Sequence, residues 1–97
     1  MNLNAFEFFQ KLTNLSFITS IVLYGSRARN DSTERSDIDL AITCTTATEQ
    51  DWLTIVTIIE EADTLLKIDY VRLDSLTPQS PLVRAIKRDG VVVYERK

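Results

Sequence analysis

Residues Asp37 to Thr43 read Asp-Ile-Asp-Leu-Ala-Ile-Thr, an aliphatic side chain alternating with an acidic or small one. Successive side chains of a strand point to opposite faces, so Ile38, Leu40 and Ile42 go to one side and Asp37, Asp39 and Ala41 to the other. The run predicts a strand with a clear core face and two carboxylates on its back. A chain that contains it must build a sheet and cover one side of that sheet with apolar side chains.

The flanking segments supply the cover. Leu3, Phe6, Phe9 and Leu12 recur at helical spacing between Leu3 and Leu15, with Phe8 and Leu15 widening the stripe, and predict an amphipathic helix with an aromatic core face. Phe17 to Tyr24 is apolar and β-branched and ends at Gly25, which fits a strand buried on both faces. Gly25 to Arg29 reads as a tight strand-to-helix turn, followed by a polar loop from Asn30 to Ser36. Thr48, three residues before Asp51, is a variant of the capping box and opens a helix whose apolar spacing runs from Trp52 to Leu66. Lys67 to Leu73 reads as a third strand and Ser75 to Pro81 as a turn-rich connection. Leu82 to Asp89 is a short helix stopped by Gly90, and Val91 to Tyr94 a fourth strand. The expected order is α-β-α-β-α-β-α-β in one α/β domain over residues 1–97.

Composition removes several function classes. There is no histidine, so zinc motifs and His-based triads are excluded, and the single cysteine, Cys44, cannot form an internal disulfide. Cys44 follows a strand without a basic neighbour in sequence, and reads as a buried, inert thiol. The longest apolar stretch, Ile21 to Tyr24, is far short of the ~20 residues of a membrane helix, and no secretory signal opens the chain. A cytoplasmic, non-membrane protein is the expectation. Fourteen acidic residues against 11 basic ones give a net charge of −3, which argues against direct DNA binding. Yet Arg27, Arg29 and Arg35 cluster just before Asp37 and Asp39.

Asp is disfavoured in strands, and two on one face lie about 6.5–7 Å apart. Such a pair repels itself unless a cation sits between. Asp69, between Ile68 and Tyr70, is a third acid inside a strand, with Val71 on its face and Tyr70 and Arg72 on the other. Hard oxygen ligands of this kind suit Mg²⁺, which takes one or two carboxylates together with substrate phosphates. Gly25 lacks a Cβ and lets a phosphate approach the backbone, and Ser26 adds a hydroxyl donor. Each feature also has a plain structural explanation: a turn, a solvated sheet face, a surface acid.

Together the pieces resemble a known family. Gly25-Ser26, ten residues, then Asp37-Ile38-Asp39 is the Gly-Ser-x10-Asp-x-Asp signature of polymerase-beta-type nucleotidyltransferases. Tyr24 to Arg29, Ser36 to Ala41, Ile68 to Val71 and the ending from Leu82 to Tyr94 resemble the minimal nucleotidyltransferase (MNT) subgroup, so the likeness spans nearly the whole chain. One departure is Asn30, where many relatives have glycine; Asn tolerates a left-handed backbone, so the turn should survive.

The resemblance implies a nucleotidyltransferase fold, a small mixed sheet of about four strands packed with helices. It implies two Mg²⁺ ions held by Asp37, Asp39 and Asp69 as catalytic and metal-binding residues, and a nucleoside triphosphate, ATP by default, held by Gly25, Ser26, Arg27 and Arg29. It further implies an antitoxin that transfers AMP to a tyrosine of a cognate HEPN ribonuclease toxin in a hetero-oligomer, with pyrophosphate released. The family core occupies nearly all of the 97 residues, so the acceptor is expected on another protein. Two alternatives stay open: a non-catalytic antitoxin that masks the toxin through aromatics of its first or Trp52-bearing helix, and a transferase acting on a small molecule such as an aminoglycoside.

Overall fold

The alternating run forms strand β2 (Ile38–Thr43), and Ile38, Leu40 and Ile42 are fully buried as their spacing requires. The computed structural model describes residues 1–96. With β1 (Ser20–Tyr24), β3 (Ile68–Arg72) and β4 (Val91–Glu95), β2 makes a four-stranded sheet of order β3-β2-β1-β4. β1 runs antiparallel to both β2 and β4, whereas β2 and β3 are parallel. Parallel neighbours need a crossover, and helix α2 (Glu49–Glu60) supplies it.

Helices α1 (Glu7–Thr13) and α2 cover the aliphatic face, where Phe8, Phe9, Leu12, Ile55 and Ile59 join Ile21, Leu23 and the β2 isoleucines in one core. Helix α3 (Pro81–Asp89) buries Val83 and Ile86 and packs against β1. Ser80 caps it by accepting from the Val83 N–H at 3.1 Å, and Pro81 takes the first turn, where a missing N–H costs nothing. Gly90 ends α3, but its φ of −70° is not left-handed. It is needed for closeness instead, since a Cβ there would strike the Ile86 carbonyl and Val22.

Several expected elements are shorter. The helix expected from Leu3 to Leu15 is a 3₁₀ turn (Leu3–Ala5), an extended Phe6, then α1. The helix expected after Gly25 is one 3₁₀ turn, Gly25–Arg27. β1 begins at Ser20 and is buried on one face only, Val22 and Tyr24 being half-covered. The capping box at Thr48 and Asp51 is present, with bonds of 3.0 and 3.1 Å, but α2 ends at Glu60. Ala62 and Leu66 still pack on the core from the connection beyond it, which is why their spacing imitates a helix.

That connection also carries Asp63, whose carboxylate accepts from the N–H groups of Glu7 and Phe8 at 3.3 and 3.4 Å and so caps α1 from across the chain. These bonds, the one from Glu7 foremost, hold the Asp63 carboxyl below its usual value. No helix among the described residues is long and apolar enough to cross a membrane.

Candidate active site

The register of the sheet brings two of the three acids side by side. Tyr24 of β1 stands opposite Asp39 of β2, and Asp39 opposite Asp69 of β3, so the three side chains form a row across three strands. The Asp39 and Asp69 carboxyls are close enough to share a hydrogen bond when one is protonated. Partial burial pushes the Asp39 carboxyl above its ordinary value, and the negative charges of Asp69 and Asp37 push the same way. Burial followed by the same two acids, Asp39 and Asp69, raises the Tyr24 phenol as well.

Asp37 stands apart. It is exposed, one residue ahead of β2, and reaches Asp39 through charge. Among the described residues no three His, Cys, Asp or Glu side chains converge closely enough to cage a metal alone. The donor set nonetheless fits a hard cation. Mg²⁺ commonly takes one or two carboxylates and completes its shell with phosphate oxygens and water, and an adjacent, self-repelling pair is what such an ion would neutralise.

Gly25 closes the site at the end of β1. Its φ is +73°, and a Cβ at this position would land on the Asp39 carboxylate, so both conformation and closeness require glycine. The Gly25 carbonyl accepts from the Ala28 and Arg29 N–H groups at 3.1 and 3.2 Å, which tightens the turn. Asn30 adopts φ 62°, the left-handed conformation expected of it. Ser26 is half-buried, and its carbonyl accepts from Asp31 N–H at 3.1 Å.

The two arginines serve different surroundings. Arg27 turns into the loop and donates Nε and Nη2 to the Ser36 carbonyl at 3.1 and 2.8 Å, and Nη2 to the Glu34 carbonyl at 3.2 Å. It therefore braces the residue next to Asp37. Arg29 is exposed and pairs with Asp31 at 3.2 Å.

Two residues here escaped the sequence reading. Tyr24 counts in the sequence mainly as the last apolar residue of its strand, although its place directly before Gly25 at a strand end is a signal. Lys67 counts in the sequence only as the start of a strand, yet it stands just ahead of β3, two residues before Asp69, and its ammonium lies 3.5 Å from Asp69 Oδ1. Away from the site, Cys44 is buried as expected, but it has a basic neighbour in space. Arg72 donates to the Cys44 and Ala47 carbonyls at 2.9 and 3.1 Å while pairing with Asp74 at 3.0 Å, and Asp74 accepts from Cys44 N–H at 2.8 Å. Burial foremost, then Asp74, pushes the thiol up despite Arg72.

The architecture has known counterparts. A chain from the crystal structure of a toxin–antitoxin with AMP-PNP is similar, with TM-score 0.65 and 19% identity over 100% of this chain and 76% of that one. A chain of a mutant toxin–antitoxin MntA-HpeT gives TM-score 0.65 and 23% identity over 100% of this chain and 75% of its own. A candidate nucleotidyltransferase from Sulfolobus solfataricus gives TM-score 0.57 and 19% identity over 93% and 76%. No curated protein sequence matches this chain. The model of the polymerase beta nucleotidyltransferases matches residues 7–97. A match of that extent, on a chain whose sheet sets Asp39 beside Asp69 and against a glycine turn, makes this protein a member of the polymerase beta nucleotidyltransferase family.

Proposed function

We propose that this nucleotidyltransferase is the antitoxin of a toxin–antitoxin pair and transfers AMP from ATP to a tyrosine hydroxyl of a cognate HEPN ribonuclease toxin in the cytoplasm. The observation that carries the chemistry is the Asp39–Asp69 pair set against the Gly25 turn. The likeness to toxin–antitoxin structures supports the biological setting.

In this reading Asp39 and Asp69, with Asp37 at the rim, hold two Mg²⁺ ions. Bound Mg²⁺ supplies positive charge to the triphosphate oxygens. Gly25 and Ser26 receive the outer phosphates through backbone N–H groups and a hydroxyl. With only a single 3₁₀ turn behind them, the help of a long helix dipole is absent. Arg29, exposed and paired with Asp31, would leave that partner to meet leaving-group charge, and Arg27 keeps the Asp37 loop in place.

The acceptor oxygen attacks the α-phosphorus, the bond from that phosphorus to the bridging oxygen breaks, and pyrophosphate leaves with the electron pair. The hydroxyl proton passes to the Asp69 carboxylate. Positioning and electrostatics do the work, so the lack of histidine is no obstacle.

Intact mass of the partner after incubation with this protein, ATP and Mg²⁺ tests the proposal. Addition of AMP that disappears with Asp39→Asn supports it. Tight binding without added mass transfers the case to masking, and adenylylation of a small molecule by this chain alone transfers it to the small-molecule class.

A further inference from the structure

The parallel register of β2 and β3 places one cation among the acids. Ile38 pairs with Ile68 and Asp39 with Asp69, and the Ile38 N–H donates to the Lys67 carbonyl at 2.9 Å. Lys67 is the residue just ahead of β3, as Asp37 is just ahead of β2, and it lies two residues before Asp69. The result is one ammonium beside the Asp39–Asp69 pair, with Asp37 exposed at the rim. The ammonium lies 3.5 Å from Asp69 Oδ1, and its charge offsets part of the repulsion at Asp39. Its side chain is 71% exposed, so it is free to swing outward on its four-carbon stem.

We infer that Lys67 is the built-in counter-ion of the site, a positioning residue that competes with the divalent cation for Asp69. In the free protein it holds the Asp69 carboxylate and lowers the negative charge that would attract a metal. A divalent ion must displace it, and that exchange is unfavourable until the phosphates of the nucleotide add their own ligands. The site therefore takes up metal together with the triphosphate rather than ahead of it. Repulsion between a monovalent and a divalent cation at a few ångströms is large enough to set this order even with solvent screening.

This inference rests on the proposed metal site, and its test is binding, not turnover. Mn²⁺ is titrated into the nucleotide-free protein by calorimetry, for wild type, Lys67→Met, Lys67→Arg and Lys67→Met/Asp69→Asn. Lys67→Met is expected to bind Mn²⁺ about five- to twentyfold more tightly than wild type. Lys67→Arg should return to the wild-type value, and the double variant should lose the gain. Equal Mn²⁺ affinity in wild type and Lys67→Met, with circular dichroism showing both folded, overturns the counter-ion role. The metal reading itself is judged separately, on wild type titrated with Mn²⁺ and a non-hydrolysable triphosphate together. Uptake there with no difference between lysine and methionine removes the inference alone; no uptake there removes the metal reading.

Discussion

The two faces of β2 follow opposite rules. On one, Ile38, Leu40 and Ile42 are fully withdrawn from water, and their burial is worth about 1.5–3 kcal/mol per side chain. On the other, partial burial, then the charges of Asp69 and Asp37, raise the Asp39 carboxyl, and this opposes folding at neutral pH. One short strand thus carries both an anchor and a strained charge cluster. The contrast teaches that the acids are tolerated because the opposite face is secured.

The sharpest way to break the contrast is to neutralise the charged face. Asp39→Asn should lower nucleotidyl transfer by roughly 10²–10³-fold while raising the melting temperature by about 2–4 °C at neutral pH. The sign follows from linkage. A carboxyl raised in the folded state stabilises the fold below the unfolded value, and this stability is lost as pH climbs through the raised one. The gain in Asp39→Asn should therefore shrink in acid. A variant that loses activity and stability together would place Asp39 in the scaffold instead.

The apolar face gives the converse. Leu40→Ala should cost about 2–5 kcal/mol in denaturant unfolding, because it opens a cavity in a closed core. Activity per folded molecule should fall far less than in Asp39→Asn. Gly25→Ala tests the boundary between the faces. Its methyl group would meet the Asp39 carboxylate in a left-handed backbone, so triphosphate binding should weaken at least tenfold and the melting temperature fall by roughly 5 °C. Unchanged binding would mean that the turn does not crowd the acids.

Sequence alone revealed the alternation of β2, the third acid on β3 and the start of α2, since each is a local pattern whose meaning is nearly independent of context. It also placed Asn30 in its left-handed turn. What it could not reveal depends on pairing. Whether Asp39 meets Asp69 is decided by the parallel register, and Lys67 reaches Asp69 from the residue just ahead of β3. Phe6 looked helical because its spacing fits the stripe, yet the helix starts after it, where Asp63 supplies the cap from 55 residues away. The end of α2 was hidden for a related reason: Ala62 and Leu66 reach the core without helical backbone.

Asp63 provides the smallest expected effect and a control outside the site. With its carboxyl held below the usual value, it stabilises the fold above about pH 4, and the contribution is lost as pH falls through the lowered value. Asp63→Asn should lower the melting temperature by a few degrees at pH 7, flatten its fall in acid, and leave transfer unchanged. An identical acid profile in both proteins would show that the cap carries no charge-dependent stability.

The most direct measurement is calorimetric titration of a non-hydrolysable ATP analogue, with and without Mg²⁺, into wild type and the Asp39→Asn/Asp69→Asn variant. Binding that requires Mg²⁺ in wild type and vanishes in the variant is the expected result. Equal binding by both proteins, or binding indifferent to Mg²⁺, would contradict the assignment of this carboxylate pair as the seat of metal and triphosphate.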